Sequence, residues 1–249
     1  MVARSLAPHF THVLAIDPSE GMLATARTFT PHSEFPNIEF HAGTAESLHF
    51  IPNASIDLLV AAQAAHWFDY SRAWLEFSKK VAPGGSLAFW GLRNTVFVDY
   101  PEATRILQDY TTNPDPRKLG SYWPAPGSKI MASMYADIVP PEEEWEDVQR
   151  VNYRPGTKGE NSGEGICFVR GKITVRDCKE LMRTWSAFHH WSEAHPEKKK
   201  RRDGGEGDVV DWCFDEIVAH DGRWGDEGWE VEVEYESFLL MARRKGGSS

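Results

Sequence analysis

An α/β fold built on a parallel sheet is what this 249-residue sequence predicts, and three observations carry the prediction. Apolar runs of strand length alternate with stretches of helical periodicity over residues 1–92. Each strand-like run is separated from the next by a crossover-length segment, the spacing of right-handed connections between parallel strands. Acids also stand at or just beyond expected strand carboxyl ends, at Asp17 and Glu46.

Taken in order, Val2 to His9 reads as the end of a helix and His12 to Asp17 as a buried strand. Ser19 to Phe29 is a helix with Met22, Ala26 and Phe29 on one face. Asn37 to His41 is a second strand, and Ile56 to Ala62 is a third, continuous enough in apolar residues to be covered on both faces. Asp69 to Val81 is a helix with Trp74, Phe77 and Val81 on one side, Lys79 and Lys80 in its last turn and Pro83-Gly84-Gly85 as its stop. Ser86 to Leu92 is a fourth strand. Beyond Arg93 the regularity fades as far as Pro155 in a segment punctuated by Pro114, Pro116, Pro124, Pro126, Pro140 and Pro141, the composition of a loop that covers a site. Trp145 to Tyr153 inside it is a strand. Asp177 to His190 forms one helix with Leu181, Trp185 and Phe188 aligned and Asp177 with Glu180 as a capping pair. A charged, glycine-rich link, Glu197 to Gly207, leads to a helix over Val209 to His220 with Val210, Cys213 and Ile217 on one face. Trp229 to Arg243 is the final strand, and there is no internal repeat.

Composition narrows the function classes. Twenty-seven Lys and Arg against 37 Asp and Glu give a net charge of −10, which argues against a whole-surface grip on nucleic acid or anionic lipid. Ten Trp, thirteen Phe and seven Tyr suit a cleft over a flat ligand and core filling equally well. Cys167, Cys178 and Cys213 are too few and too irregularly spaced for a disulfide framework or a zinc pair, so a reducing compartment is expected. With no membrane-length apolar run and no signal-peptide pattern in Met1 to Phe10, the expected location is cytoplasmic, with no membrane or nucleic-acid partner. His189, His190, Glu193 and His195 lack the i, i+4 histidines of a helical zinc motif, and no metal is predicted. Lys198 to Arg202 has the composition of a nucleic-acid patch, but between Glu197 and Asp203-Gly204-Gly205-Glu206 it reads as a solvated loop.

Asp17, at a parallel strand's carboxyl end, can accept hydrogen bonds from a ribose diol or can cap the helix that follows. The next turn, Gly43-Thr44-Ala45-Glu46-Ser47-Leu48, tips the balance. Two acids with Met22 as an apolar plate can embrace an adenosine, Asp17 on the ribose and Glu46 towards the exocyclic amine.

Ala15-Ile16-Asp17-Pro18-Ser19-Glu20-Gly21-Met22-Leu23, Gly43-Thr44-Ala45-Glu46, Ala62-Gln63-Ala64-Ala65-His66-Trp67-Phe68-Asp69 and Pro83-Gly84-Gly85 resemble the successive motifs of class I S-adenosylmethionine-dependent methyltransferases. Arg183-Thr184-Trp185-Ser186-Ala187-Phe188-His189 and Met241-Ala242-Arg243-Arg244 resemble the fungal trans-aconitate methyltransferase branch of that family. The resemblance implies a Rossmann-like sheet with an α-rich cap, S-adenosyl-L-methionine as cofactor and a small-molecule acceptor methylated on a carboxylate or other oxygen. It places Asp17 on the ribose, Met22 beside the adenine, Ala45 and Glu46 at the adenine edge, and Gln63, Trp67 and Phe68 towards the methyl-donor end. His66 becomes the candidate base, and Trp185, His189 and Arg183 the candidate acceptor contacts. Residues 1–92 then form the cofactor-binding part, 93–228 the cap with its substrate-side helices, and 229–249 the final strand and tail.

Against that family the sequence departs at its start. Met1 to Ala7 resembles the helix that follows the family's first strand and G-x-G turn, so six parallel-sheet candidates stand where the family has seven. The sheet is expected to lack its first strand, to leave neighbouring strands unpaired and to hold the cofactor weakly. Two rivals are a nicotinamide-dependent oxidoreductase, since an acid ending a strand also serves dinucleotide ribose, and a non-catalytic remnant that binds a partner.

Overall fold

The computed structural model describes Val2 to Gly246; Met1 and the last three residues of the expected tail lie outside the described residues. The elements in chain order begin with α1 (Val2–Leu6), β1 (Val13–Asp17), α2 (Glu20–Thr28), β2 (Ile38–Ala42), β3 (Ile56–Ala62), α3 (Tyr70–Lys80) and β4 (Val81–Phe97). They continue through α4 (Pro101–Thr112), α5 (Gly127–Ala132), β5 (Trp145–Arg154), β6 (Glu164–Gly165) and β7 (Arg170–Thr174). The last are α6 (Val175–Arg183), α7 (Ser186–Ala194), α8 (Val209–His220) and β8 (Glu230–Arg244).

The strands form two sheets. β1 and β2 pair in parallel from Val13 opposite Ile38 to Asp17 opposite Ala42. A six-stranded sheet runs β3-β4-β8-β5-β6, with β7 antiparallel to β8. Among the described residues, β1 therefore bonds only β2 and β3 only β4, leaving one ladder edge of each open. That has a measurable consequence for burial. No residue of β1 is fully buried, and in β3 only Ala61 is, so the expectation of buried strands covered on both faces fails for want of flanking side chains.

The chain folds as two compact units. One unit comprises residues 1–89, 138–149 and 241–249; the other comprises 90–137 and 150–240. The strand at Trp145 belongs to the first unit through its own first residues, which is why a simple insertion does not describe it. In the first unit the buried rings of Trp74, Phe77, Phe89 and Trp145 interlock, with centroids 5.7 Å apart for Trp74–Phe77 and 5.9 Å for both Phe77–Phe89 and Trp74–Trp145. The second unit packs α4, α6, α7 and α8 around Phe97, Met182, Trp191, Phe214 and Trp224.

Several elements differ from the sequence expectation. In α2 it is Leu23 that is buried; Met22 and Phe29 are 61% and 65% exposed, so the expected apolar stripe faces outward. Lys80 stands in the last turn as expected but is buried there: its Nζ donates to the Ile51 carbonyl (2.7 Å) and Asn53 Oδ1 (2.9 Å). Pro83-Gly84-Gly85 does not separate α3 from a strand at Ser86, because β4 runs through it, Gly84 taking φ +79°. The segment after Arg93 is not irregular throughout. Pro101 opens α4, where its missing N–H costs nothing, and Thr104 Oγ1 accepts from the Phe97 N–H (2.9 Å). The single helix over 177–190 is two, since Trp185 is extended (φ −72°, ψ 144°) and starts α7. The cap of α6 is Thr174, whose Oγ1 accepts from the Asp177 N–H (3.0 Å) and donates to Asp177 Oδ2 (2.8 Å), in place of an Asp177–Glu180 pair.

Candidate functional site

The first unit gathers the predicted cofactor residues by a chain of short-range bonds. Pro18 and Ser19 turn the chain sharply after β1, and Asp17 Oδ1 accepts from the Ser19 N–H (2.8 Å). Ser19 is itself the cap, its Oγ accepting from the Met22 N–H (3.3 Å), so Asp17 is relieved of capping α2 and its Oδ2 stays open. The Asp17 carbonyl accepts from the Gly43 N–H (3.2 Å), which brings the turn after β2 alongside the end of β1. A side chain at Gly43 would press on Phe50 (3.2 Å) and Ile16 (3.3 Å), so the close approach depends on glycine. Thr44 and Ser47 bridge across the turn and hold Ala45 and Glu46 between them.

Glu46 then reaches forward. Its Oε1 accepts from the Asp69 N–H (2.8 Å), and Asp69 Oδ1 accepts from Ser71 N (3.0 Å) to cap α3. The acid expected at the adenine edge thus also fixes the end of the 65–69 segment. Ala65–Trp67 forms a single 3₁₀ turn, with Gln63 before it at φ 52°. Phe68 packs on Phe77 (5.9 Å) and Phe89 (6.0 Å), whereas Trp67 is 52% exposed. Two exposed apolar plates, Met22 and Trp67, and the open carboxylate oxygen of Asp17 thus belong to one bonded framework.

His66 lies 4.8 Å from the Trp67 ring, and burial pulls its pKa from 6.5 down to about 4. At pH 7 the imidazole is therefore neutral. Its folded pKa is depressed, so the stability it lends is present above pH 6.5 and is lost as pH falls towards 4. Denaturant unfolding of the wild type and His66→Gln at pH 7 and 4.5 should show a difference of about 2–3 kcal/mol that appears only on acidification. Parallel pH profiles for the two proteins would remove this assignment.

The candidate acceptor contacts lie in the second unit. Trp185 packs against Trp123 (5.9 Å) and is half-buried, while His189 is exposed on α7, its ring 6.2 Å from Phe188. Arg183 is not held open for an acceptor. Its Nε and Nη2 donate to Asp208 (2.8 and 3.0 Å), Nη2 also to Asp211 (2.8 Å) and Nη1 to Glu180 (3.0 Å). Burial alone would lower its pKa, but Asp208 and Asp211 outweigh it and raise the value. The described residues hold no group of three metal-ligating side chains, and none of their helices is long and apolar enough to cross a membrane. The three cysteines are free thiols. Two working residues escaped the sequence reading: Asp69, whose signal was an acid two residues before Ser71 at a helix start, and Asp208, which with Asp211 matches a capping box.

Comparison with known proteins gives the chain's relatives. Residues 1–89 match the family model for a methyltransferase domain. The chain is 25% identical over 246 residues to "Probable S-adenosylmethionine-dependent methyltransferase CRG1" of Saccharomyces cerevisiae, covering 96% of this chain and 80% of that protein. Residues 1–89 thus match a methyltransferase domain, and over nearly its whole length the chain is similar to S-adenosylmethionine-dependent methyltransferases. It is also 26% identical over 208 residues to "Methyltransferase ptaI" of Pestalotiopsis fici, covering 77% of this chain and 61% of that protein. Its fold is shared with a solved "Putative Type II Methyltransferase" from Anaeromyxobacter dehalogenans, at TM-score 0.62 and 21% identity over 98% of this chain and 84% of that one.

Proposed function

We propose that this methyltransferase binds S-adenosyl-L-methionine along Asp17, Met22, Ala45, Glu46, Gln63, Trp67 and Phe68 and methylates a small-molecule acceptor on a carboxylate or other oxygen, as the trans-aconitate branch does. The observation that carries the reading is the bonded framework from Asp17 through the Gly43 turn and Glu46 to Asp69. The residues fit the group. Asp17 Oδ2 is an unused acceptor for a ribose diol, and Met22 and Trp67 are exposed apolar surfaces for a flat ring. When bound, the cofactor supplies a methyl group on a sulfonium centre. The chain's own part is to position and to exclude water. An ionised carboxylate acceptor needs no base. For a hydroxyl acceptor, neutral His66 is able to take the proton.

Cofactor binding by residues 1–249 alone is proposed to be weak, because β1 and β3 each leave a ladder edge unpaired beside the site. Calorimetry with S-adenosylhomocysteine tests this: micromolar binding by these residues would sink the proposal of weak binding. Thermal-shift measurements should show protection by S-adenosylhomocysteine at high concentration and none by NAD. For the acceptor, the protein is incubated with labelled cofactor and a panel of di- and tricarboxylic acids. Label should pass to at least one of them; transfer to none, with the cofactor bound, rejects the carboxylate reading.

A further inference from the structure

The second unit carries a basic site apart from the candidate cofactor residues. Two cavities of about 310 and 300 Å³ meet at Arg183 and Glu180. The first is lined by Arg176 and Lys179 of α6 and by Arg201 and Arg202. Lys198, Lys199 and Lys200 line the second. These eight cations, Arg183 included, face six carboxylates: Glu180, Asp203, Asp208, Asp211 and Glu227 in the lining, with Asp215 holding Arg201 (2.5 Å). The site is therefore locally positive by two on a chain whose net charge is −10.

The excess is concentrated on three side chains. Arg176 and Lys179 share Glu227 (both 3.2 Å), and Lys200 lies near Asp203 (3.6 Å) and Glu180 (3.8 Å). Among the described residues Lys199 and Arg202 have no carboxylate partner, and Lys198 has only the Trp212 ring, 5.9 Å from its Nζ. The run that bears them is fixed rather than loose. The Gly205 N–H donates to the Lys200 carbonyl (3.2 Å) and the Gly207 N–H to the Lys199 carbonyl (3.0 Å). A side chain at Gly205 would strike the Lys199 oxygen at 2.1 Å. The Arg201 N–H is anchored on Asp211 Oδ2 (2.9 Å).

From this arrangement we propose that the 198–207 loop and α6 form a binding site for a small polyanion carrying two or three phosphate groups. Held cations in a concave site suit compact phosphates, since guanidinium and ammonium donors reach several oxygens at once. Glu197, Asp203 and Glu206 border the run and oppose the continuous phosphates of a duplex. The inference stands apart from the cofactor reading, which concerns the other unit.

Tripolyphosphate titrated calorimetrically into the full chain is the test. Binding should weaken with added salt, and by at least about tenfold in Lys199→Glu/Arg202→Glu. Both side chains are exposed and make no bond among the described residues, so the variant should melt like the wild type; Lys198→Met provides a second, milder loss. Lys129→Glu, a single charge reversal on α5 outside both cavities and half the charge change of the double variant, should bind within about twofold of the wild type. No heat at millimolar tripolyphosphate would overturn the proposal. So would an equal loss in Lys129→Glu, or duplex DNA binding more tightly than tripolyphosphate through the same residues.

Discussion

Replacing Arg183 by alanine should destabilise the second unit by about 3–5 kcal/mol, because two buried carboxylates lose their cation. Asp208 and Asp211 are 1% and 7% exposed and start α8 as a reciprocal capping box. Asp208 Oδ1 accepts from the N–H groups of Val210 (3.0 Å) and Asp211 (2.9 Å), while Asp211 Oδ2 accepts from Asp208 (3.2 Å) and Arg201 (2.9 Å). Those bonds satisfy helix donors but leave two negative charges side by side, and Arg183 bridges both. Lysine cannot replace it, having no planar fork to span Asp208 and Asp211 at once, so Arg183→Lys should recover less than half the loss. The pH dependence carries a sign. Burial would raise the Asp211 pKa, but the Arg201 and Asp208 N–H groups and Arg183 bring it below the ordinary value. The stability so gained is present above about pH 4 and is lost on further acidification. Denaturant midpoints of wild type and Arg183→Ala should therefore lie well apart at pH 7 and draw together at pH 3. A loss under 1 kcal/mol at pH 7 would show that water reaches the two acids.

How much of this was readable in advance depended on where each partner lies in the sequence. The helix α8 was legible because its signals are local: Val210, Cys213 and Ile217 are all buried, at the spacing of one face. The end of β1 was legible for the same reason, Asp17, Pro18 and Ser19 being a turn and cap within three residues. The break between α6 and α7 was not. Thr184-Trp185-Ser186 contains neither glycine nor proline, and Trp185 leaves the helical path to pack on Trp123, 62 residues earlier. The path of β4 was misread because Pro83-Gly84-Gly85 looks like a stop, yet the carbonyls of Lys79 and Lys80 are taken by the N–H groups of Ala54 and Ser55 (both 2.9 Å). The site divides likewise. Its candidate residues were recognisable from their motifs, but the bond from Glu46 to Asp69 and the commitment of Arg183 to acids 25 and 28 residues away are tertiary facts. A cation read from sequence as available was already spent inside the fold.

Phe77→Ala should cost the first unit about 3–5 kcal/mol and should also disturb the candidate cofactor site, which its ring supports from below. Phe77 is 1% exposed and touches three other aromatic side chains: Trp74 (5.7 Å), Phe68 (5.9 Å) and Phe89 (5.9 Å). Phe68 follows His66 and Trp67 directly, and its ring rests on Phe77 and Phe89, so the cavity left by alanine opens beneath the 66–68 segment. Leucine fills most of that space and should cost less than half as much. The same cavity would admit water towards His66, whose depressed pKa comes from burial. Titrated by NMR, the His66 ring in Phe77→Ala should move from about 4 towards 6.5, and in Phe77→Leu it should stay low. The stability loss alone would follow from any buried ring. A His66 titration unmoved in Phe77→Ala would mean that the 66–68 segment is held by Glu46 and Asp69 without help from the aromatic cluster, because then only the core, and not the site, has lost its support.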